Sequence, residues 1–288
     1  MTPFVKQALH WLGSALAVAG VVFVVLRLND YSSELDFSRL NSRTWLIVGV
    51  LAFVYGLANI LLALAWRNLL MHFGADVKQL WAVKIYGLSQ LAKYVPGNIM
   101  HLASRQAMGQ AAGVAGWSLV KSTFWELGLM ATAGAFFFIL VIPRFLHGIT
   151  LQMAVAIFFC TILFAGLGLA RFLDLKVLRA FAYYIIFLFI SGLIFTGVLF
   201  LIAESSPLTP SVALMFCSTF VVAWLIGLIT PGAPAGIGVR ELILVMLLKG
   251  LAPESELLLA VLLSRIVTVS GDVCFFLLAS FCLGKERV

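Results

Sequence analysis

The ionisable side chains set inside apolar sequence are where this chain can do chemistry. Lys93, Arg105, Lys121, Glu126, Arg240, Glu241, Arg265 and Asp272 all fall within or beside long apolar stretches. A charge near the centre of a bilayer costs at least about 2.5 kcal/mol, so each needs a partner, a water-filled cavity or a task. Arg105 and Arg240 carry a pattern: each stands nine positions after the proline of a Pro-Gly pair, Pro96-Gly97 and Pro231-Gly232, the only such dipeptides in the chain. Proline removes a helix donor and glycine lets the chain reverse, so each pair predicts an elbow between two half-helices. The free N–H groups and dipole at the start of the second half-helix favour an anion. A guanidinium nearby adds full charge and a two-pronged donor for phosphate or carboxylate. The expected chemistry is anion binding by Arg105, Arg240 and the elbows at Pro96, Gly97, Pro231 and Gly232. The alternative is that each arginine snorkels to the interface along its stem, which is the favoured reading for Lys93 and Lys121.

Glu126 follows Ser118 and Ser122 at four-residue steps, so the three share one helix face. Arg265 and Asp272 share a face in the same way, with Ser264 and Thr268 close to it. Two roles stay open for these groups. Glu126 with an arginine and Asp272 with Arg265 pair internally and hold the bundle together, or Glu126 and Arg265 exchange partners as a gate. His101 reads as a polar filler able to face the same cavity. No nucleophile and base motif, glycine-rich phosphate loop or carboxylate cluster is present, so no catalytic residue, metal ligand or cofactor is expected. Cys160, Cys217, Cys274 and Cys282 lie in apolar segments without metal or redox spacing and read as small hydrophobes.

The elements that must hold these residues are membrane helices. Of 288 residues, 63% are hydrophobic and 11% charged, where soluble domains carry about 25% charged; mean hydropathy is +1.11. That composition excludes a soluble enzyme, a secreted module and a disordered region. The net charge of +7 comes from basic residues spread between apolar stretches, as orientation signals are, and not from a nucleic-acid-binding run. Trp81, Trp117 and Trp125 read as interface-belt or packing residues.

Cutting the chain at its charges gives candidate crossings between Lys6 and Arg27, Arg43 and Arg67, Gly116 and Arg144, Arg144 and Arg171, and Arg179 and Glu204, with a last one near the carboxyl terminus. The first, with its apolar run Ala8–Leu26, reads as a retained span rather than a cleaved signal. Val77–Gly113 and Ser211–Gly250 contain the elbows and read as re-entrant hairpins, or alternatively as kinked full crossings. The predicted fold is all-α and polytopic, a single membrane domain over 1–288 with about six full transmembrane helices and two broken hairpins. The hairpins open an inverted repeat, about 77–143 and 211–283. Both termini are then cytoplasmic, with most basic loop residues on that side.

The stretch Ser89-Gln90-Leu91-Ala92-Lys93-Tyr94-Val95-Pro96-Gly97-Asn98 leading to Arg105 and Glu126, and Thr230-Pro231-Gly232-Ala233-Pro234-Ala235-Gly236-Ile237-Gly238-Val239-Arg240-Glu241 followed by Arg265, resemble the lysylphosphatidylglycerol synthase transmembrane-region family. That family includes the flippase part of bacterial multiple peptide resistance factors. The resemblance implies a bacterial inner-membrane protein that moves an anionic, aminoacylated or glycosylated lipid between leaflets, with Arg105, Glu126, Arg240, Glu241 and Arg265 at the family's polar positions. It implies membrane lipids as partners, and stand-alone relatives accompany glycolipid, hopanoid or polysaccharide pathways. The chain stops at Val288 without the aminoacyl-transferase domain of the resistance factors, and Ala233-Pro234-Ala235 stands where a glycine-rich run is expected. The rival readings are a membrane-embedded lipid-modifying enzyme and a non-transporting partner subunit of a lipid or polysaccharide synthase. A homo-oligomer is compatible with each.

Overall fold

The computed structural model describes residues 41–95, 99–146, 148–202, 209–230, 239–251 and 253–282, except for the side chains of Glu241, Glu254, Ser255 and Cys282. The expected amino-terminal span and the elbow residues Pro96, Gly97, Pro231 and Gly232 lie outside the described residues. Within them the chain is helical and contains no strand. In order come α1 (Ser42–His72), α2 (Gln79–Gln90) with a 3-10 turn Leu91–Tyr94, α3 (Met100–Ala111), and α4 (Gly116–Phe136) with a short continuation to Arg144. They are followed by α5 (Leu151–Phe172), α6 (Leu175–Ile202), α7 (Pro210–Ile229), α8 (Val239–Leu248) and α9 (Glu254–Leu277), which widens into a π-turn over Leu278–Cys282.

Six of these helical stretches are long and apolar enough to cross a membrane: Ser42–His72, Gly116–Arg144, Leu151–Phe172, Leu175–Ile202, Pro210–Ile229 and Glu256–Phe281. The chain is therefore an all-α, multi-pass membrane protein. Local signals set the helix starts. Asn41 Oδ1 accepts the Thr44 N–H at 2.9 Å, Thr150 Oγ1 accepts that of Met153, and Thr209 Oγ1 accepts that of Val212 ahead of Pro210. At the α5–α6 turn the Lys176 N–H donates to Asp174, which holds that exposed carboxyl below its ordinary range.

The two broken regions have the same order of elements and unequal arms. Among the described residues each has a helix, a short helix, a glycine turn and a long helix in that order, and both turns use a glycine at positive φ, Gly113 at 99° and Gly250 at 81°. The first arm of the first region is α2, 12 residues. Its counterpart α7 has 20 residues, about 30 Å at 1.5 Å per residue, and is a crossing by length rather than a half-helix. The physical reason is composition: Pro210–Ile229 is uncharged throughout, whereas α2 carries Lys84 and Gln90.

The bundle centres on α1, which packs most extensively on α6 and α9, while α5 is peripheral and buries only Ala154 and Phe158. Small residues permit the closest approach. A Cβ on Gly271 would lie 2.6 Å from the Ala52 carbonyl oxygen, and one on Gly56 would lie 2.8 Å from that of Gly271, so α1 and α9 touch backbone to backbone. Gly192 meets the Cys217 backbone in the same way between α6 and α7. Gly271→Ala is expected to destabilise the protein by about 1–3 kcal/mol through overpacking. Gly128→Ala, where no heavy atom lies within 4 Å, should be neutral or stabilising by up to about 1 kcal/mol. Thermal unfolding in detergent checks both, and equal Tm values for the two variants would contradict the close crossing.

Candidate functional site

Two buried ion pairs flank one cavity inside the bundle. The first joins α3 to α4. Arg105 Nη1 donates to Glu126 Oε2 at 2.7 Å, and Tyr86 Oη donates to Glu126 Oε1 at 2.9 Å. The Arg105 guanidinium lies 4.0 Å from the Tyr86 ring centroid and 5.3 Å from that of Trp66. Trp66 in turn stacks on Trp81 and donates its indole N–H to Ser122 Oγ. Glu126 sits where it does because α4 buries Leu119, Ser122, Glu126, Leu129, Met130 and Ala133, a stripe at helical spacing. Arg105 is 2% exposed and is not among the side chains that line the cavity.

The second pair joins the α2 turn to α9. Lys93 Nζ lies 2.6 Å from Asp272 Oδ2, which also accepts the Tyr94 hydroxyl. Asp272 Oδ1 accepts from Gln90 Nε2 and Asn59 Nδ2, each at 3.1 Å. Gln90 Nε2 also reaches Asn59 Oδ1 at 3.1 Å, and Asn59 Nδ2 donates to the Tyr55 carbonyl at 3.2 Å. Leu91 and Tyr94 pack on Val269 of α9, and this contact fixes the 3-10 turn where Lys93 can reach across. Asp272 has no solvent exposure, whereas the Lys93 side chain keeps 20%.

The cavity between the pairs has a free volume of about 120 Å³. Its polar wall includes Lys93, His101, Glu126, Arg240, Arg265 and Asp272, and leucines with Phe187 and Trp224 form the rest. Arg240, in the first turn of α8, rests its guanidinium 4.0 Å from the Phe220 ring centroid. Arg265, on α9, lies within electrostatic reach of Tyr55 and Tyr94. Both arginines are 5% exposed. His101 Nδ1 finds no hydrogen-bond partner among the described residues. Among the described residues no three His, Cys, Asp or Glu side chains gather as a metal site would need.

The cavity thus brings Glu126, Arg240 and Arg265 of the expected set together. Arg105 is corrected from a headgroup ligand to the fixed partner of Glu126. Its side chain leaves the middle of α3 toward α4, and the rings of Tyr86 and Trp66 cover it. Asp272 takes Lys93 from the facing turn as its ion-pair partner rather than Arg265 as expected. Lys93, expected to snorkel, keeps 20% of its side chain exposed while its ammonium reaches Asp272. Lys121 lies over the rings of Trp117 and Phe73. Trp81 is a packing residue, 2% exposed. The Glu241 side chain and the elbow residues lie outside the described residues. Sequence reasoning missed Tyr55, Asn59, Gln90 and Tyr94. A usable signal existed for Asn59 and Gln90, which are amides inside otherwise apolar helices.

No family model, curated protein or solved structure matches the chain. What the site does therefore follows from its own chemistry. Glu126→Gln leaves the Arg105 cation buried without its anion and is expected to cost about 3–5 kcal/mol. The double change Arg105→Met with Glu126→Leu should recover most of that loss. Unfolding in mixed micelles measures both, and a double variant as unstable as the single one would show that the pair is not a neutralising unit.

Proposed function

We propose that the protein is a lipid flippase or transporter of a bacterial inner membrane, taking the headgroup of an anionic or zwitterionic lipid through the bundle while its tails stay in the bilayer. The observation that carries this reading is a buried cavity whose polar wall presents Arg240, Arg265 and Lys93 beside a wall of leucines and aromatic rings. Guanidinium groups bind phosphate through charge-assisted, geometrically specific hydrogen bonds. A headgroup crossing hydrocarbon without such contacts loses its solvation. The aromatic and leucine wall suits the glycerol and first methylenes that follow a phosphate.

The resemblance of the two Pro-Gly blocks to the lysylphosphatidylglycerol synthase transmembrane region supports a lipid as the cargo, with aminoacylated and glycosylated lipids among the candidates. In this reading the two broken regions form an inverted repeat that offers the cavity to each leaflet in turn. Arg240 and Arg265 hold the phosphate, Glu126 with Arg105 behind it supplies a fixed wall, and Lys93 moves with the cargo.

The test is reconstitution in liposomes containing fluorescent phosphatidylglycerol or phosphatidylethanolamine, with chemical quenching of the outer leaflet. Wild type is expected to expose inner-leaflet probe. Arg240→Ala and Arg265→Ala should each slow exposure by about tenfold or more, the loss of at least one charge-assisted contact. Equal rates for wild type and both variants would remove the arginines from the transport path, and rates equal to protein-free liposomes would remove transport.

A further inference from the structure

The two ion pairs are built differently, and the difference marks a second binding site in the same cavity. Arg105 and Glu126 are sealed, with side chains 3% and 4% exposed and two aromatic rings over the guanidinium. Lys93 and Asp272 form a pair with one closed and one open end, because only the lysine reaches solvent-accessible space. An ammonium on a flexible four-carbon stem can leave such a site. The Arg105 guanidinium, sealed on a pair 3% and 4% exposed, has no such open end.

The consequence for Asp272 is electrostatic. With Lys93 gone, the Tyr94 hydroxyl, Gln90 and Asn59 still donate to the carboxylate. These are neutral donors, and they satisfy the oxygens without cancelling the charge. An anion entering a cavity of about 120 Å³ stands within a few ångströms of that carboxylate and repels it, while occupying Arg240 and Arg265. A buried, uncompensated charge is resolved most cheaply by a proton.

We infer that Asp272 is a proton-binding site coupled to headgroup binding: the anion draws Lys93 to itself, and one proton passes from cavity water to the Asp272 carboxylate. This rests on the headgroup reading above and adds its coupling ion. The bound lipid brings one negative charge and the proton one positive charge, so the net charge of the loaded cavity matches that of the empty one. The groups that face Asp272 agree with a proton rather than a metal cation. From α1 come Tyr55 and Asn59, from α2 Gln90, from the 3-10 turn Lys93 and Tyr94, and from α8 Arg240. Its own helix adds Arg265 and Thr268, α6 adds only the non-titrating Phe187, and His101 and Glu126 stand on the other walls. The nearest groups aim donors at the carboxylate, whereas a sodium or calcium ion needs a shell of oxygen acceptors.

Linkage makes the coupling reciprocal: if the headgroup promotes proton uptake, acid promotes headgroup binding by the same factor. Where Asp272 is ionised in the empty protein and protonated in the loaded one, affinity rises about tenfold for each unit fall in pH. The experiment is calorimetric titration of the purified full chain with dihexanoyl phosphatidylglycerol, whose phosphodiester does not titrate between pH 5 and about 9, in two buffers of different ionisation enthalpy. Wild type is expected to take up close to one proton per lipid and to bind more tightly as pH falls. Asp272→Asn should bind without proton uptake and without pH dependence. Should Asp272→Asn not fold, Tyr94→Phe serves in its place: it removes a donor that favours the ionised carboxylate, so uptake on binding persists and the rise in affinity begins at higher pH. Lipid binding with no proton uptake overturns the proton site and leaves the headgroup site standing, as does uptake that persists in the Asp272→Asn protein or a pH dependence that Tyr94→Phe leaves unmoved. No lipid binding at any pH overturns the headgroup site and the proton site with it.

Discussion

A carboxylate with no access to water has to be neutralised by the protein around it, and Asp272 places that demand at the centre of this bundle. Its answer draws on two separate stretches of chain: Asn59 on α1, and the run from Gln90 at the end of α2 to Lys93 and Tyr94 in the turn that follows. Such short contacts from α1 require α1 and α9 to approach more closely than helices carrying side chains at the crossing allow. Gly56 and Gly271 stand at that crossing. The glycines and the polar cluster are therefore one device: backbone contact positions Asn59, and Asn59 helps to satisfy the charge.

The second carboxylate is met with different means. Glu126 has a guanidinium and a phenol, and the guanidinium is in turn covered by Tyr86 and Trp66. The guanidinium and its carboxylate are both sealed from solvent, so neither has a better compensated position to take. One of the two ion pairs is thereby closed, and the other reaches solvent through Lys93.

The outline of the fold was legible in the sequence because it follows from local quantities. Apolar runs of crossing length can be read without knowing what lies across the bundle. Burial of Glu126, Arg240 and Arg265 was legible too, since a charge in apolar sequence is conspicuous. The choice of partner was not. Asp272 and Arg265 share a helix face, and sequence offers them to each other, yet two turns of helix separate them and the decisive contact comes from a turn about 180 positions away in sequence. The matched nine-residue offsets of Arg105 and Arg240 misled for a related reason. Arg105 falls in the middle of α3, whereas Arg240 falls in the first turn of α8. Equal spacing in sequence became unequal rotation about the helix axis, so one arginine turns toward α4 and the other toward the cavity.

The composition of the cavity wall bears on what can occupy it. Leu62, Leu102, Leu127, Met130 and Leu228 face the same space as the charged groups. A free inorganic anion would gain from Arg240, Arg265 and Lys93 but would leave that apolar surface wetted to no benefit, and it would surrender its own hydration on that side. An amphiphile has no such conflict, because its phosphate meets the cations while its glycerol and upper methylenes cover the leucines. Each buried methylene contributes about 0.8 kcal/mol, so a few of them distinguish a lipid from free phosphate by more than a hundredfold. In the proposed reading the apolar half of the wall is as specific as the charged half, and together they favour a molecule that is itself divided in the same way.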